Sequence, residues 1–548
     1  MRKKMINERE NKFSKIFLES WHPFFWITFL ILLVYSATLF YNIVYLDDNV
    51  LVTGQYQFNQ NLSNIPQAFQ EDIFRTPHND GSFYRPLERL TFIFDAQWGE
   101  QSVVFVSHFS NVLLHILAMC LFFVFLLKFN IRKVWALLFV LVFSIHPLSA
   151  QTVAFISGRN DSLLAIFIFP ALIFFLYFLQ NQKNKYFLGH LFFFALALLI
   201  KETATILPIL CAFYVLIFIG WRKIIENYKT YLNLIIGWIG IVIFWFLVRL
   251  LVLHNFIGNS DYNIFFSIYK NLPSLIPSIG KIFLPFNLSV FPVIKDMTFS
   301  YGLITLILLG FWFFFSEKKK LKLIIFGFSW FFLFILLTLI QPINTDTNFS
   351  ENRIYLPMFG FVFIILGLGI IKIPTILKEK INYELNKKKI ILFIGLLIIL
   401  IFSLITIYRN QYYKNGLNFW KNAAETSPSY AFNHNNLGAM EYLAGDMKNA
   451  EKEYKIALEL NPTEPMAHNN LGLVYVNENK LAEAEAEYKK EIEINPNYDN
   501  VYYNLGLLYW NEKRYDEAIS NWKKTLEINP NYSVAPKILQ LLQSSTIK

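Results

Sequence analysis

Two adjacent carboxylates, Asp47 and Asp48, follow directly on a long apolar block that runs from about Phe24 to Val44. Acids at the mouth of a membrane helix sit where a lipid-borne substrate at the bilayer surface reaches them, and ionisable residues at the membrane edge are functional candidates. The same pair also reads, more plainly, as loop caps marking the interface. As chemistry, one carboxylate takes the proton of a hydroxyl nucleophile; its neighbour, which need not titrate alike, positions the substrate or orients the base. A phosphate leaving group is already anionic and needs cations rather than a proton, and arginine matches it through a bidentate fork. The cations available on the same side are Arg85, Arg89, Arg159, Lys201, Arg249 and Arg353. Arg159, Lys201 and Arg353 are the first candidates for a donor phosphate, with Arg85 behind them. Each alone also fits a side chain snorkelling to the interface.

Lys201-Glu202 interrupts two apolar blocks with almost no loop to spare, so both charges lie at the membrane edge. Such a pair needs partners or a polar cavity; a mutual ion pair is the simpler reading. His108 and His115 share one face of the second apolar block, where interhelical hydrogen bonding is favoured over metal binding. His146-Pro147 ends the third block. His146 reads as a helix-end residue that supports the site, or as a substrate contact. No ligand cluster stands out, and metal dependence stays open.

The elements that must position these residues are membrane helices. The chain has 548 residues, 55% of them hydrophobic and 18% aromatic, above the ~45–50% apolar content of soluble domains. Eleven apolar blocks lie at roughly 24–44, 107–127, 134–148, 163–180, 186–200, 203–220, 231–252, 301–316, 323–341, 354–373 and 390–408. The third and fifth are short for a spanning helix of about 20 residues. The first is too long for a cleavable signal and reads as a signal anchor behind a basic cytoplasmic segment, 1–23. Alternate connecting loops carry clusters of Lys and Arg, which by the positive-inside rule places the N-terminus in the cytoplasm and the C-terminal segment outside. The formal charge of +10 is unevenly divided. From Ala431 onward 12 Lys and Arg face 17 Asp and Glu, a balance of −5 that leaves +15 on residues 1–430. That basic half fits cytoplasmic membrane loops rather than nucleic-acid binding. Cys120 and Cys211 lie in apolar blocks, so no disulfide framework is expected.

Three polar loops fall outside. The first, 45–106, carries the acids and then Tyr84-Arg85-Pro86-Leu87, after which helical spacing predicts an amphipathic helix at the interface. The second, 149–162, carries Ser157-Gly158-Arg159-Asn160-Asp161-Ser162. The third, 253–300, reads as interfacial helices broken by Pro273, Pro277, Pro285 and Pro292.

The C-terminal segment is periodic. Pro428, Pro462, Pro496 and Pro530 recur every 34 residues, as do the Leu-Gly pairs at Gly438, Gly472 and Gly506 and the aromatics Tyr454, Tyr488 and Trp522. This is the tetratricopeptide pattern of paired helices. It gives three full repeats over about 431–464, 465–498 and 499–532, a leading half-repeat over 412–427 and a cap over 533–543. Asn436, Asn470 and Asn504, with Asn435, Asn469, Tyr442, Tyr503 and Trp510, should line a concave amide-rich and aromatic groove suited to a polypeptide or glycan ligand. Helix packing is the simpler role for some of them. The expected architecture is all-α: a multi-span bundle over 24–410, then a helical repeat domain over 411–548.

Taken in order, Asp47-Asp48, Tyr84-Arg85-Pro86-Leu87, His108 with Asn111 and His115, His146-Pro147, Gly158-Arg159, Lys201-Glu202 and Arg353-Ile354-Tyr355-Leu356-Pro357 resemble the GT-C membrane glycosyltransferases. Nearest are the transmembrane and tetratricopeptide protein O-mannosyltransferases. The resemblance implies eleven spans, a polyprenyl-phosphate-linked sugar donor and inverting transfer to Ser or Thr hydroxyls of extracytoplasmic proteins. Three repeats are fewer than the animal members carry, and no motif fixes the sugar as mannose rather than another hexose. Two other readings stand beside it: a related transferase acting on a glycan or lipid acceptor, and a non-enzymatic scaffold displaying the repeats. The expected setting is the bilayer, with a bacterial inner membrane favoured over the endoplasmic reticulum.

Overall fold

The computed structural model describes residues 16–75, 81–253, 264–340, 349, 351–371, 383–530, 532, 534, 537 and 540. The basic residues of segment 1–15 and most of the cap expected over 533–543 lie outside these. Among the described residues, regular structure is helical apart from a two-residue antiparallel pairing of Ser316–Glu317 with Ile370–Ile371. The chain divides into two compact units, Met1–Phe419 and Trp420–Lys548.

In the first unit, every one of the eleven apolar blocks contains helix. Among the described residues seven helices are long and apolar enough to cross a membrane: His22–Phe40, Val103–Lys128, Ile156–Asn181, Glu202–Ile219, Tyr228–Val252, Leu321–Leu339 and Ile390–Tyr413. Glu351–Met358 and Gly360–Leu368, bent by 49°, make an eighth if counted as one span. The remaining blocks form the shorter helices Lys133–Ser144, Asn184–Leu198 and Ser300–Phe315. The helix Asn184–Leu198 stops early because Lys201 is extended, at φ −156° and ψ 135°. Helix packing follows small residues. A Cβ on Gly327 would stand 2.5 Å from the Gly360 carbonyl oxygen, and one on Gly360 as close to the Gly327 oxygen, so the backbones of Leu321–Leu336 and Gly360–Leu368 meet directly. Aromatic rings fill the interior, with Phe122 and Phe359 at 4.5 Å between ring centroids and tilted by 47°.

The predicted helix of the first polar loop is Pro86–Ala96, and charged as well as apolar residues of it turn inward. Its buried residues include Glu88, Arg89 and Asp95 beside Phe92 and Ile93, while Phe94 and Trp98 are 54% and 74% exposed. The polar residues face protein because charged partners wait there. The third loop forms the helices Ile264–Asn271 and Leu275–Phe283, joined by a 3₁₀ turn at Leu272–Ser274 that contains Pro273.

The second unit contains three helix pairs: Ala431–Leu443 with Met447–Leu460, Ala467–Asn477 with Leu481–Ile494, and Asp499–Asn511 with Tyr515–Ile528. The 34-residue period has a packing cause. A Cβ at Gly438, Gly472 or Gly506 would lie 2.8, 2.5 or 2.4 Å from the ring of Tyr454, Tyr488 or Trp522. Each glycine admits the aromatic of its own second helix.

Candidate active site

Asp47 and Asp48 are adjacent but have different surroundings. Asp48 is 1% exposed. Its carboxylate accepts the backbone N–H groups of Val44 at 2.7 Å, Leu46 at 3.2 Å and Asn49 at 3.0 Å. It thereby folds the 44–49 turn around itself and caps the helical turn Asn49–Gly54. The turn is tight enough to hold Tyr45 at φ 59°, in the left-handed region. Burial raises the Asp48 pKa to about 6 against the opposing backbone bonds, with the Asp47 charge adding to the rise. Asp47 is half-buried. Burial raises its pKa too, while the Arg85 guanidinium pulls the other way. Asp48 is committed to the backbone of the turn, and Asp47 is the more exposed of the two acids.

Around Arg85 the loops bring together charges far apart in sequence. Arg85 Nη2 lies 3.1 Å from Glu202 Oε1, and its Nη1 3.7 Å from Glu88 Oε2. Lys201 Nζ lies 2.7 Å from Asp161 Oδ1 and 3.0 Å from Asn160 Oδ1. Asn352 donates its side-chain N–H to Asp161 Oδ2 at 3.0 Å. Arg353 lies in the field of Asp161, Arg85 and Glu202. Burial, the largest effect, raises Glu88 to about 7 against the cations Arg85 and Lys201. The mutual Lys201–Glu202 pair is not formed: the extended backbone at Lys201 sends the two side chains to different partners. Ion pairs and hydrogen bonds thus gather Arg85 with Glu202 and Glu88, and Lys201 and Asn352 with Asp161; Arg353 follows Asn352 in the chain, and Asp47 lies in the field of Arg85.

Other candidates fall outside this cluster. Arg159 is fully buried, bonded to Asp95 Oδ2 at 2.6 Å, Thr91 Oγ1 at 3.0 Å and the carbonyls of Ser107 and Ile156, with its guanidinium over the Phe92 ring. Its N–H groups tie the helix Pro86–Ala96 to two neighbours, which corrects the expectation that it meets a phosphate. Arg89, also buried, bonds Gln55 Oε1 and the carbonyls of Asp72 and Ile73. Arg249 is different: it donates to the Ser82 carbonyl at 2.7 Å and lies in the field of Glu202 and Arg85, at the edge of the cluster. His146 is buried, with Nε2 at 2.9 Å from the Ile282 carbonyl and Nδ1 accepting the Leu148 N–H. Both ring nitrogens serve backbone, so it supports the loop and has no atom for substrate. His115 links Tyr355 Oη at 2.9 Å and the Ser144 carbonyl at 2.8 Å, an interhelical bridge as expected. Among the described residues no group of three or more His, Cys, Asp and Glu is gathered to hold a metal ion.

Sequence reading missed the partners of the cations, Glu88, Asp95, Asn160 and Asp161, and also Asn352 on Asp161 and Gln151 on Asn352. Asp161 offered a signal, since it closes the polar run after Gly158-Arg159. Gly158 itself is needed there, because a Cβ would stand 2.3 Å from the Gln151 carbonyl oxygen.

In the repeat unit the asparagines are half-buried at Asn436, Asn470 and Asn504 and buried at Asn435 and Asn469. Asn504 Nδ2 bonds Asn469 Oδ1 at 2.8 Å, and Asn470 Nδ2 bonds Asn435 Oδ1 at 3.2 Å. Asn436 donates only within its own helix, to the Phe432 carbonyl. Trp510 packs on Tyr515 and Trp522 at 4.8 and 5.3 Å, and Tyr503 on Tyr532 at 5.2 Å. The amides of Asn470 and Asn504 thus tie adjacent repeats together.

Comparison with known proteins agrees with this division. Residues 92–246 match the family described as dolichyl-phosphate-mannose-protein mannosyltransferase, a stretch that includes Lys201 and Glu202 but neither Asp47 nor Arg353. Residues 500–532 match the tetratricopeptide repeat, and 474–513 a second repeat family. No protein among the curated sequences compared matches the chain. Among solved structures, the first repeat domain of Spaghetti (RPAP3), bound to an HSP90 peptide, is similar at 21% identity over 22% of this chain and 94% of that one, with TM-score 0.21. MamA is similar at 27% identity over 21% and 68%, with TM-score 0.20. YrrB, described as having an unusual peptide-binding site, is similar at 19% identity over 30% and 87%, with TM-score 0.22. The chain is thus similar to the dolichyl-phosphate-mannose-protein mannosyltransferase family over 92–246, within the membrane unit, and to tetratricopeptide repeats over 474–532.

Proposed function

We propose that the protein transfers a hexose from a polyprenyl-phosphate donor to Ser or Thr hydroxyls of extracytoplasmic proteins, with the repeats recruiting the acceptor. The observation that carries this reading is the convergence of a half-buried acid, Asp47, with the cations Arg85, Lys201 and Arg353. Asp47 takes the hydroxyl proton as the acceptor oxygen attacks the anomeric carbon. The bond from that carbon to the phosphate oxygen breaks, and the electron pair leaves with the polyprenyl phosphate. Arg85, Lys201 and Arg353 stabilise that anion, exchanging part of their contact with Glu202 and Asp161 for the phosphate. A single displacement inverts the anomeric centre. Mannose is the first sugar to test, and a bacterial inner membrane the favoured setting.

The test is glycoproteomic. A strain lacking the protein is complemented with wild type or with Asp47→Asn, and hexose on Ser and Thr of extracytoplasmic proteins is compared. Hexosylated peptides that appear with wild type alone support the reading and name the acceptors. If no peptide changes in any strain, a protein acceptor is wrong.

A further inference from the structure

Glu351 is 0% exposed and stands between two cations. Its Oε1 lies 2.6 Å from Lys281 Nζ, on the helix Leu275–Phe283, and accepts the Ser289 N–H at 3.1 Å. Its Oε2 pairs with Arg409 on the span Ile390–Tyr413. Burying three charges is a poor way to gain stability, since apolar side chains of similar volume do as well; the arrangement fixes registry. What it fixes is the turn Glu351–Ile354. The next residue, Asn352, is held from both ends: its backbone N–H meets Gln151 Oε1 at 3.0 Å and its side chain meets Asp161 Oδ2 at 3.0 Å. Gln151 is in turn anchored on the Val290 carbonyl. The residue after that is Arg353, in the field of Asp161, Arg85 and Glu202.

We infer that Glu351 is a positioning residue for the donor phosphate: it locks the turn that delivers Asn352 to Asp161 and Arg353 to the cation cluster. This rests on the proposed transferase reading. Glu351 touches no substrate; it acts through Arg353.

The test is equilibrium binding of polyprenyl monophosphate to full-length protein in lipid nanodiscs, read as dissociation constant and number of sites. Glu351→Gln should weaken binding about tenfold with the site number unchanged, as expected when a supporting contact loosens a ligand-binding group. Glu351→Asp should restore most of the affinity. Lys281→Met removes one of the two cations on Glu351 but leaves the Glu351–Arg409 pair, and should weaken binding less than Glu351→Gln does. Gln151→Met, which alters no charge, should weaken binding about threefold by releasing Asn352; it carries the test if Glu351→Gln does not fold. Loss of sites at unchanged affinity in Glu351→Gln, or wild-type affinity in both Glu351→Gln and Gln151→Met, overturns the inference and leaves the transferase reading standing. Wild type that does not bind polyprenyl phosphate overturns both.

Discussion

Glu202 Oε1 stands 3.1 Å from Arg85 Nη2, across 117 positions of sequence. The neighbouring Lys201 turns instead to Asp161. Arg85 and Lys201, two of the cations that a lipid phosphate would use, therefore already have carboxylate partners that keep them in place, while Arg85 Nε stays without one.

This arrangement separates two arginines that look equivalent in the sequence. Arg85→Met should fold and lose donor affinity, because Arg85 is at the cluster and its partner Glu202 retains side-chain exposure of 34%. Arg159→Met should fail differently, since it strands the buried Asp95 carboxylate at a cost of about 3–5 kcal/mol. Pairing it with Asp95→Asn should recover much of that. Thermal unfolding of the three variants beside donor binding checks this; equal loss of stability in Arg85→Met and Arg159→Met would refute it.

The two aspartates should also part company. Asp47→Asn removes the base and should lower transfer by about 10²–10⁴-fold with expression unchanged. Asp48→Asn sets an amide N–H against backbone N–H groups that now meet oxygen, costing roughly 1–3 kcal/mol as donors are left unmatched. Its activity loss should accompany a lower unfolding temperature. Single-turnover rates and melting curves distinguish the two; a stable, fully active Asp47→Asn protein would remove Asp47 from the chemistry.

The acids set a pH dependence. A base works ionised, so transfer falls as pH drops through the apparent pKa of the pair. Burial raises both groups above the ordinary carboxylate value, Asp48 to about 6. The acid limb of kcat/KM should therefore lie above pH 4 and reach toward 6. Stability runs the opposite way. A carboxyl whose folded pKa exceeds its unfolded value favours the folded state most at low pH, and loses that contribution as pH rises toward 6. An acid limb at pH 4 would show that neither buried carboxyl controls the rate.

The apolar blocks, the 34-residue period and the acids at the end of the first span were legible because each is local or periodic. The pairings were not. Asp161, Asp95 and Glu351 look like ordinary loop or helix-end acids, and only contacts between remote segments give them Lys201, Arg159, and Lys281 with Arg409. The helix Pro86–Ala96 shows the same limit. Spacing located it, but the buried partners of Glu88, Arg89 and Asp95 decided which face turned inward. His146 reads as a possible substrate contact because nothing in sequence reveals that both ring nitrogens meet backbone.

The repeat asparagines differ in what they hold, although their positions in the period match. Asn470 and Asn504 bridge to Asn435 and Asn469 of the preceding repeat, whereas Asn436 bonds only its own helix. Asn470→Ala should then cost the array about 1 kcal/mol through a lost inter-repeat hydrogen bond. Asn436→Ala should change stability by less than about 0.5 kcal/mol, the scale of a site without such a bond. If the groove recruits the acceptor, Asn436→Ala should raise the acceptor KM and leave donor binding untouched, because the amide would be spent on ligand rather than on the fold. Urea melts of the full chain, followed by acceptor titration at saturating donor, decide between these roles. Equal destabilisation by both substitutions would mean that the column of asparagines is structural throughout, and that acceptor recognition must rest on the aromatic residues Tyr503 and Trp510.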